Sequence, residues 1–249
     1  MALRDVRVRL RASPVARNLK SRVELVAGAV RYPRDTPEWA AVQLLRGCRP
    51  DVVVDVGANV GQFARTIRSF GYAGDIVSFE PVSSTYRRLA VNADDDPHWY
   101  TVNCALGAAE GEATINISSN DSLSSSLLPM EDLHRDAFPG SGYVASEPVR
   151  VRRLDDVEVP ALAADRVFLK VDAQGFEHEV VAGAEDLLGR TVGIQLELSL
   201  APLYSGGWTF WDAMDWLRDQ DFQPHHFVPG VVDRRTMQTL QVDVIGLRR

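Results

Sequence analysis

Asp55 stands at the end of an apolar run, Asp51–Val56, and leads into Val56-Gly57-Ala58-Asn59-Val60-Gly61. The two glycines permit a tight strand-to-helix turn and a close approach of backbone to a ligand. A turn built for pyrophosphate reads G-x-G-x-x-G, its second glycine admitting phosphate to the helix N-terminus. Asn59 holds that second position here, and the Asp55 carboxylate repels phosphate while suiting a cation. A second apolar run ends in Ser78-Phe79-Glu80-Pro81, with Glu80 lying 25 residues beyond Asp55, close to the length of one strand–helix–strand unit. A carboxylate at that point accepts hydrogen bonds from both ribose hydroxyls of a nucleoside. Ribose, a positive charge and no phosphate together describe S-adenosylmethionine, whose demethylated product is S-adenosylhomocysteine. The blander alternative has Asp55 capping the helix and Glu80 facing solvent.

In a parallel sheet, ligands bind outside the carboxyl ends of the strands. Lys170 and Asp172 share one face of the run that starts at Val167, and Gln195 and Glu197 share one face of Val192–Leu198, because side chains alternate along a strand. Asp172 is the first choice for a base that takes the proton of a hydroxyl acceptor, an assistance worth roughly 10²–10⁴-fold. Glu197 is its partner or substitute, Lys170 a group that orients either carboxylate, and His178 or His225 the reserve. An internal ion pair is an equal reading of Lys170, and complementing a helix dipole an equal reading of Glu177. Asp172, Glu197 and Glu177 offer oxygen ligands of the kind that hold Mg²⁺ in some O-methyltransferases, yet they spell no metal motif. A divalent metal is compatible with the sequence, and none is assigned. His225 and His226 are adjacent, so on a strand they face opposite sides and cannot chelate together. Trp208, Phe210 and Trp211, followed by Met214 and Trp216, offer either faces for stacking on sugar rings or the inward side of a helix. Core packing is favoured there for Trp211, Trp216 and Leu217, and Tyr204 lies in a loop that could cap the cofactor.

These groups need a frame. Asp51–Val56, Asp75–Phe79, Trp99–Val102, Val167–Val171, Val192–Leu198 and Gln241–Leu247 read as strands, being short, β-branched and bounded by turn residues. Between them, Gln62–Phe70, Ser83–Asn92 (capped by Ser83 or Ser84) and Phe176–Leu188 read as helices. Alternation of this kind predicts an α/β fold with a parallel sheet, helices on both faces and right-handed crossovers. One stretch breaks the rhythm: Glu112–Ile117 and Val149–Leu154 alternate like strands around Ser118–Ser146, which is rich in Ser, Asn, Asp, Gly and Pro. It reads as a loop beside the active site, with a linker as the lesser alternative.

Composition narrows the class. The chain has 249 residues, 45% hydrophobic and 24% charged, a globular balance. Its two cysteines, Cys48 and Cys104, are too few for a disulfide scaffold or a cysteine-rich zinc site. No apolar stretch reaches the length of a membrane span and no secretory leader is evident, so a cytoplasmic protein is expected. Residues 1–34 carry nine basic and two acidic side chains, whereas the rest carries 18 basic and 32 acidic. The acidic body repels nucleic acid, and no aromatics interleave with the basic arm. That arm reads as a solvated segment or one that packs on another subunit, as in a homodimer. With two lysines against 25 arginines, the arginine excess carries no functional message, and Lys170 stands out.

At this point the sequence resembles the FkbM-type S-adenosylmethionine-dependent methyltransferases. The resemblance covers about four-fifths of the chain. Its motifs are D-V-G-A-N-V-G-Q-F (55–63), S-F-E-P (78–81), N-C-A-L-G (103–107), S-L-S-S-S-L-L (122–128), R-L-D-D (153–156), F-L-K-V-D-A-Q-G-F-E-H-E-V-V-A-G-A (168–184), L-E-L (196–198) and D-V-I-G-L (243–247). It implies a class I methyltransferase (Rossmann-like) fold, a seven-stranded, mostly parallel sheet with an inserted strand and loop region, over residues 51–249. Residues 1–50 would form a basic, helical N-terminal segment. It also implies methyl transfer to a hydroxyl, with small-molecule, sugar, oligosaccharide or polyketide-like acceptors. Where the family usually has D-x-E-G, this chain has Gln174, which removes any carboxylate role at that position. Asn103, Cys104 and Ala105 fall where the fold places adenine. The expected cofactor set is thus Asp55, Gly57, Asn59, Gly61, Glu80, Pro81, Asn103, Cys104, Ala105 and Asp172. A dehydrogenase needs the missing phosphate geometry, a base methyltransferase the absent D/N-P-P-Y/F motif. A degenerate fold serving as a scaffold is opposed by Asp55, Glu80 and Asp172.

Overall fold

The computed structural model describes residues 37–248; the basic arm, residues 1–34, lies outside them. Helix α1 (Pro37–Cys48) is followed by β1 (Val52–Val56), α2 (Gln62–Ser69), β2 (Asp75–Phe79), α3 (Ser83–Ala93) and β3 (Trp99–Val102). Then come β4 (Ala105–Leu106), β5 (Gly111–Ser118), α4 (Asp132–Ala137), β6 (Tyr143–Arg152) and two short 3₁₀ turns. The rest comprises β7 (Val167–Val171), α5 (Glu177–Ala182), α6 (Glu185–Leu188), β8 (Thr191–Ser199), α7 (Phe210–Asp219), β9 (Phe222–Pro229), β10 (Val232–Asp233), β11 (Gln238–Thr239) and β12 (Gln241–Arg248). Among the described residues no helix is long and apolar enough to cross a membrane.

Seven strands form one sheet in the order β3-β2-β1-β7-β8-β12-β9. β12 runs antiparallel to both its neighbours, while β1, β2, β3, β7 and β8 pair in parallel. This is the doubly wound, mostly parallel seven-stranded arrangement that the resemblance implies. The chain leaves β1 toward β2 and β3, then returns to β7 on the other side of β1. That reversal opens a crevice at the carboxyl ends of β1 and β7. β1 is central because it has nothing polar to expose until Asp55: Val52, Val53, Val54 and Val56 are all buried, each contributing about 1.5–3 kcal/mol. Strand alternation sends Val52, Val54 and Val56 into one core, with α5, α6 and α7. Val53 goes into the other, with Val42 and Leu45 of α1, Ala64 and Ile67 of α2 and Leu89 of α3. The helix before residue 51 is therefore part of the same packing unit as the sheet.

Three expectations are corrected. The helix expected over Phe176–Leu188 is broken into α5 and α6. Gly183 sits so close to Gly107 that a Cβ would lie 2.1 Å from its carbonyl oxygen. Asp155 then starts α6 afresh, accepting from the backbone N–H of Asp186 and Leu187, both at 3.0 Å. Helix α3 has no serine cap. Glu80 accepts from Val82 N (2.9 Å) and Glu147 from Ser83 N (2.6 Å), so distant carboxylates do that work. The loop at Ser118–Ser146 is shorter than expected and contains α4, because β6 begins at Tyr143 and pairs with β5 over its length.

Candidate active site

The turn after β1 is shaped by contacts within the protein. Gly57 has φ 71°, and a Cβ there would lie 1.8 Å from the Asp172 carbonyl oxygen. Gly61, at φ 84°, faces the Trp99 ring at 2.6 Å in the same sense. Both glycines were expected to admit a ligand: Gly57, which also meets the end of β7, lines a cleft shared with Glu80, whereas Gly61 meets the face of Trp99. Gly57 N and Ala58 N donate to the Phe79 carbonyl at 3.1 and 2.9 Å, stitching the turn to β2. Asn59, at φ 48°, donates its backbone N–H to Glu80 Oε2 at 2.9 Å.

Glu80 is thereby fixed at both oxygens, Oε1 by Val82 N and Oε2 by Asn59 N. Burial pushes its carboxyl up to about 7, against the pull of those two amide bonds. Each oxygen keeps a second lone pair, and the side chain lines a cleft at the carboxyl ends of the strands. Pro81, Cys104 and Ala105 form one wall, Asp172, Gln174 and Phe176 another, and Ser122, Leu123, Ser125, Ser126 and Leu127 close the top. Asn103 is not in that lining. Its Nδ2 donates to the carbonyls of Glu80 and Pro81 at 2.8 and 3.0 Å, so it holds the wall in place.

Asp55 does not reach the cleft. It has the parity of Val53 and is fully buried, with Lys170 Nζ 3.2 Å from Oδ1. Ser78 Oγ lies 3.5 Å from Oδ2 and itself accepts from Trp99 Nε1 at 2.9 Å. Burial raises the Asp55 pKa, opposed chiefly by Lys170. Burial alone would lower that of Lys170, but Asp55, Asp172 and Asp243 outweigh it and the shift is upward. Asp55 and Lys170 thus form the internal ion pair that was the alternative reading of Lys170. The ammonium also lies 3.5 Å from Asp172 Oδ2, so it orients the carboxylate that does face the cleft.

Asp172 and Glu197 are brought together by a residue the sequence reading had set aside. Gln174 Nε2 donates to Asp172 Oδ1 at 2.8 Å and to Glu197 Oε2. Gln241 Nε2 also reaches Glu197 Oε2, at 3.1 Å. Burial raises the Glu197 pKa well above the usual range, helped by the negative charges of Asp172, Asp243 and Glu177. Glu177 has the local role: its Oε1 accepts from Ala173 N and Gly175 N at 2.9 and 3.1 Å, tying the loop before α5. Among the described residues no group of three His, Cys, Asp or Glu side chains is arranged to hold a metal.

The reserve histidines are elsewhere. His178 is exposed and packs against Trp208, ring centroids 5.1 Å apart. His225 is exposed on β9, the sheet edge, with Nδ1 2.6 Å from the Gln223 carbonyl. Neither lines the cleft, because α5 turns one outward and three strand positions separate the other from β7. Trp216 packs on Trp208 and Phe222 and Leu217 is buried, as expected of a core face. Trp211 is not: it is 75% exposed beside Phe210. Trp208, Phe210 and Trp211 line a second cleft together with Tyr204 and Gly175. Tyr204 itself is buried and meets Gln174 rather than the cofactor cleft. His134, which the sequence reading did not single out, is buried at 3.2 Å from the Tyr204 hydroxyl.

Among the described residues, the first cleft carries Glu80 and Asp172 and no basic side chain. That chemistry fits a nucleoside bearing positive charge and opposes a phosphate. A family model for the methyltransferase FkbM domain matches residues 55–224. The chain is 26% identical over 198 residues to the 2-O-methyltransferase NoeI of Sinorhizobium fredii, which spans 76% of this chain and 80% of that protein. It is 28% identical over 157 residues to the methyltransferase sdnD of Sordaria araneosa, spanning 54% of this chain and 60% of that one. A 28% identical match to the AMB antimetabolite synthetase AmbE of Pseudomonas aeruginosa covers 55% of this chain and 8% of that protein. Among solved structures, magnesium protoporphyrin IX methyltransferase of Synechocystis with bound SAM is 12% identical at a TM-score of 0.45, covering 98% of this chain and 86% of that one.

Proposed function

The chain belongs to the FkbM methyltransferase family, and from that premise we propose that it methylates a hydroxyl of a sugar, an oligosaccharide or a glycosylated metabolite. It is an S-adenosylmethionine-dependent methyltransferase; the acceptor class is the finer reading. One observation carries the assignment of the site: Glu80 and Asp172 stand on the walls of a single cleft that, among the described residues, has no basic side chain. S-adenosylmethionine, when bound, supplies a methyl carbon made electrophilic by a positive sulfur. Glu80 accepts the ribose hydroxyls through its free lone pairs, and Cys104 and Ala105 leave room for a flat base. Asp172 takes the proton of the acceptor hydroxyl as that oxygen takes the methyl group. Lys170 and Gln174 hold its carboxylate in place, and the segment Ser122–Leu127 keeps water away.

Two features support a sugar. The relative NoeI is named as a 2-O-methyltransferase, and the second cleft offers the indole of Trp211 to solvent, a surface suited to stacking on a pyranose face. The match to an antimetabolite synthetase favours a second reading, a natural-product acceptor. Calorimetry with S-adenosylhomocysteine tests the cofactor, and transfer of labelled methyl into a panel of glycans and small hydroxylated metabolites tests the acceptor. Label confined to non-glycosylated compounds would reject the carbohydrate reading and leave the methyltransferase standing.

A further inference from the structure

Gln174 is held at both ends. Its φ is 52°, a left-handed conformation that costs a non-glycine residue free energy unless its surroundings impose it. Its backbone carbonyl accepts from Ser126 Oγ of the cover at 2.7 Å. Its side-chain Nε2 reaches Asp172 and Glu197, and its Oε1 accepts from the Tyr204 hydroxyl. With Nε2 toward the two carboxyl groups and Oε1 toward the tyrosine hydroxyl, both ends of the amide have matched partners.

The chain of contacts continues into the cover. The Tyr204 hydroxyl, which donates to Gln174 Oε1, also lies 3.2 Å from His134 Nε2. Burial lowers the His134 pKa to about 4, so the ring is neutral at pH 7. Its Nδ1 lies 3.1 Å from Ser141 Oγ, whose own hydrogen goes to the Phe138 carbonyl at 2.9 Å. A contiguous run of polar contacts thus links Ser141 through His134 and Tyr204 to Gln174 and the two carboxylates. His134 and Ser141 lie between β5 and β6, in the segment that covers the cleft.

We propose that Gln174 is a positioning residue that makes closure of the cover and orientation of Asp172 and Glu197 one event. With the cover docked, Ser126 and the Ser141–His134–Tyr204 chain fix the amide, and the amide fixes the carboxylates. With the cover lifted, the amide is free to rotate and the two carboxylates lose their shared donor. The inference rests on the methyltransferase reading above, since it assigns the carboxylates to that reaction. The charged and titratable groups around the amide are Asp172, Glu197, Glu177, Asp243, Asp55 and Lys170, with Tyr204 and His134 on the cover side.

The test uses the full chain and two variants, Tyr204→Phe and Gln174→Glu. Wild-type binding of S-adenosylhomocysteine by calorimetry checks the underlying reading; no binding would overturn both. In Tyr204→Phe, affinity for S-adenosylhomocysteine should stay within about threefold of wild type. Hydrogen exchange of residues 119–142 should speed up by about tenfold, and kcat for the acceptor found in the panel should fall about tenfold or more. In Gln174→Glu a carboxyl replaces the shared donor and takes up a proton among its neighbours. The acidic limb of the kcat–pH profile should then move up by about one pH unit or more. A residue that only supports the fold would lower Tm in both variants and leave the pH profile and KM-to-kcat balance as in wild type. That result overturns the proposal, and if Tyr204→Phe does not fold, the pH profile of Gln174→Glu decides alone.

Discussion

Glu80→Gln changes one atom at a position where every contact is accounted for. The wild-type carboxyl is moved from 4.5 to about 7, which at 1.36 kcal/mol per pH unit corresponds to about 3 kcal/mol against the ionised native form. The native state holds this proton more tightly than the unfolded chain does. The stability it confers is therefore full below pH 4.5 and is lost as pH rises through 7. Glutamine has no proton to lose, but its NH₂ must face the N–H of either Asn59 or Val82. One buried amide is left without an acceptor, a cost of about 1–3 kcal/mol. The variant should be less stable than wild type by about that amount at pH 5, and close to it or more stable at pH 8, as read by denaturant titration at both values. For the cofactor, loss of a charge-assisted acceptor costs about 1.5–3 kcal/mol, so S-adenosylhomocysteine should bind roughly 10- to 150-fold more weakly at pH 8. Wild-type affinity should itself strengthen, by up to about tenfold, between pH 6 and pH 8 as Glu80 ionises. Equal affinity of variant and wild type at pH 8 would refute the contact with the ribose.

Asp172→Asn should keep S-adenosylhomocysteine affinity while kcat falls by roughly 10²–10⁴-fold; single-turnover rates at wild-type level would show that Asp172 is not the base. Lys170→Met strands Asp55, which is fully buried, and should cost about 3–5 kcal/mol by denaturant titration. The loss should be larger at pH 8 than at pH 5, because Asp55 must then keep a proton that higher pH removes. Hydrogen exchange within residues 119–142 should slow when cofactor and acceptor are both bound; unchanged exchange in the ternary complex would count against a cover that closes on substrate.

β2, β3 and β7 have the expected limits, because they are short runs of β-branched and aromatic residues bounded by turn residues, β7 buried throughout and β2 nearly so. β9 was hidden: it alternates exposed with less exposed residues and contains Pro224 and Pro229, tolerable only because it is the sheet edge. Glu80 was legible in its own motif, since its place at the end of β2 follows from local sequence. Asp55 was legible as important and misread in direction, because strand parity relative to the cleft depends on which face the helices leave open. The meeting of Gln174, Tyr204 and His134 was not legible, for a different reason. Their hydrogen bonds join positions 30, 48 and 70 residues apart, and no local pattern records such a meeting. The same is true of the helix ends started by Glu147 and Asp155, 64 and 31 residues from the amides they serve.

β4 and the end of β6 lie side by side, Ala105 opposite Val151 and Leu106 opposite Arg152. The chain between them, with the β5–β6 hairpin and the whole cover, begins and ends at the same place. None of its strands belongs to the seven-stranded sheet. Its ends are already joined by strand pairing, and lengthening an already closed loop adds only about 0.6 kcal/mol per doubling. The insertion is therefore an exchangeable part: its length and composition can drift, and with them the wall offered to an acceptor, while the register of β1 on β2 and β7 is left alone. In such an architecture the top of the cleft is encoded at one address in the sequence and the Glu80 and Asp172 walls at others.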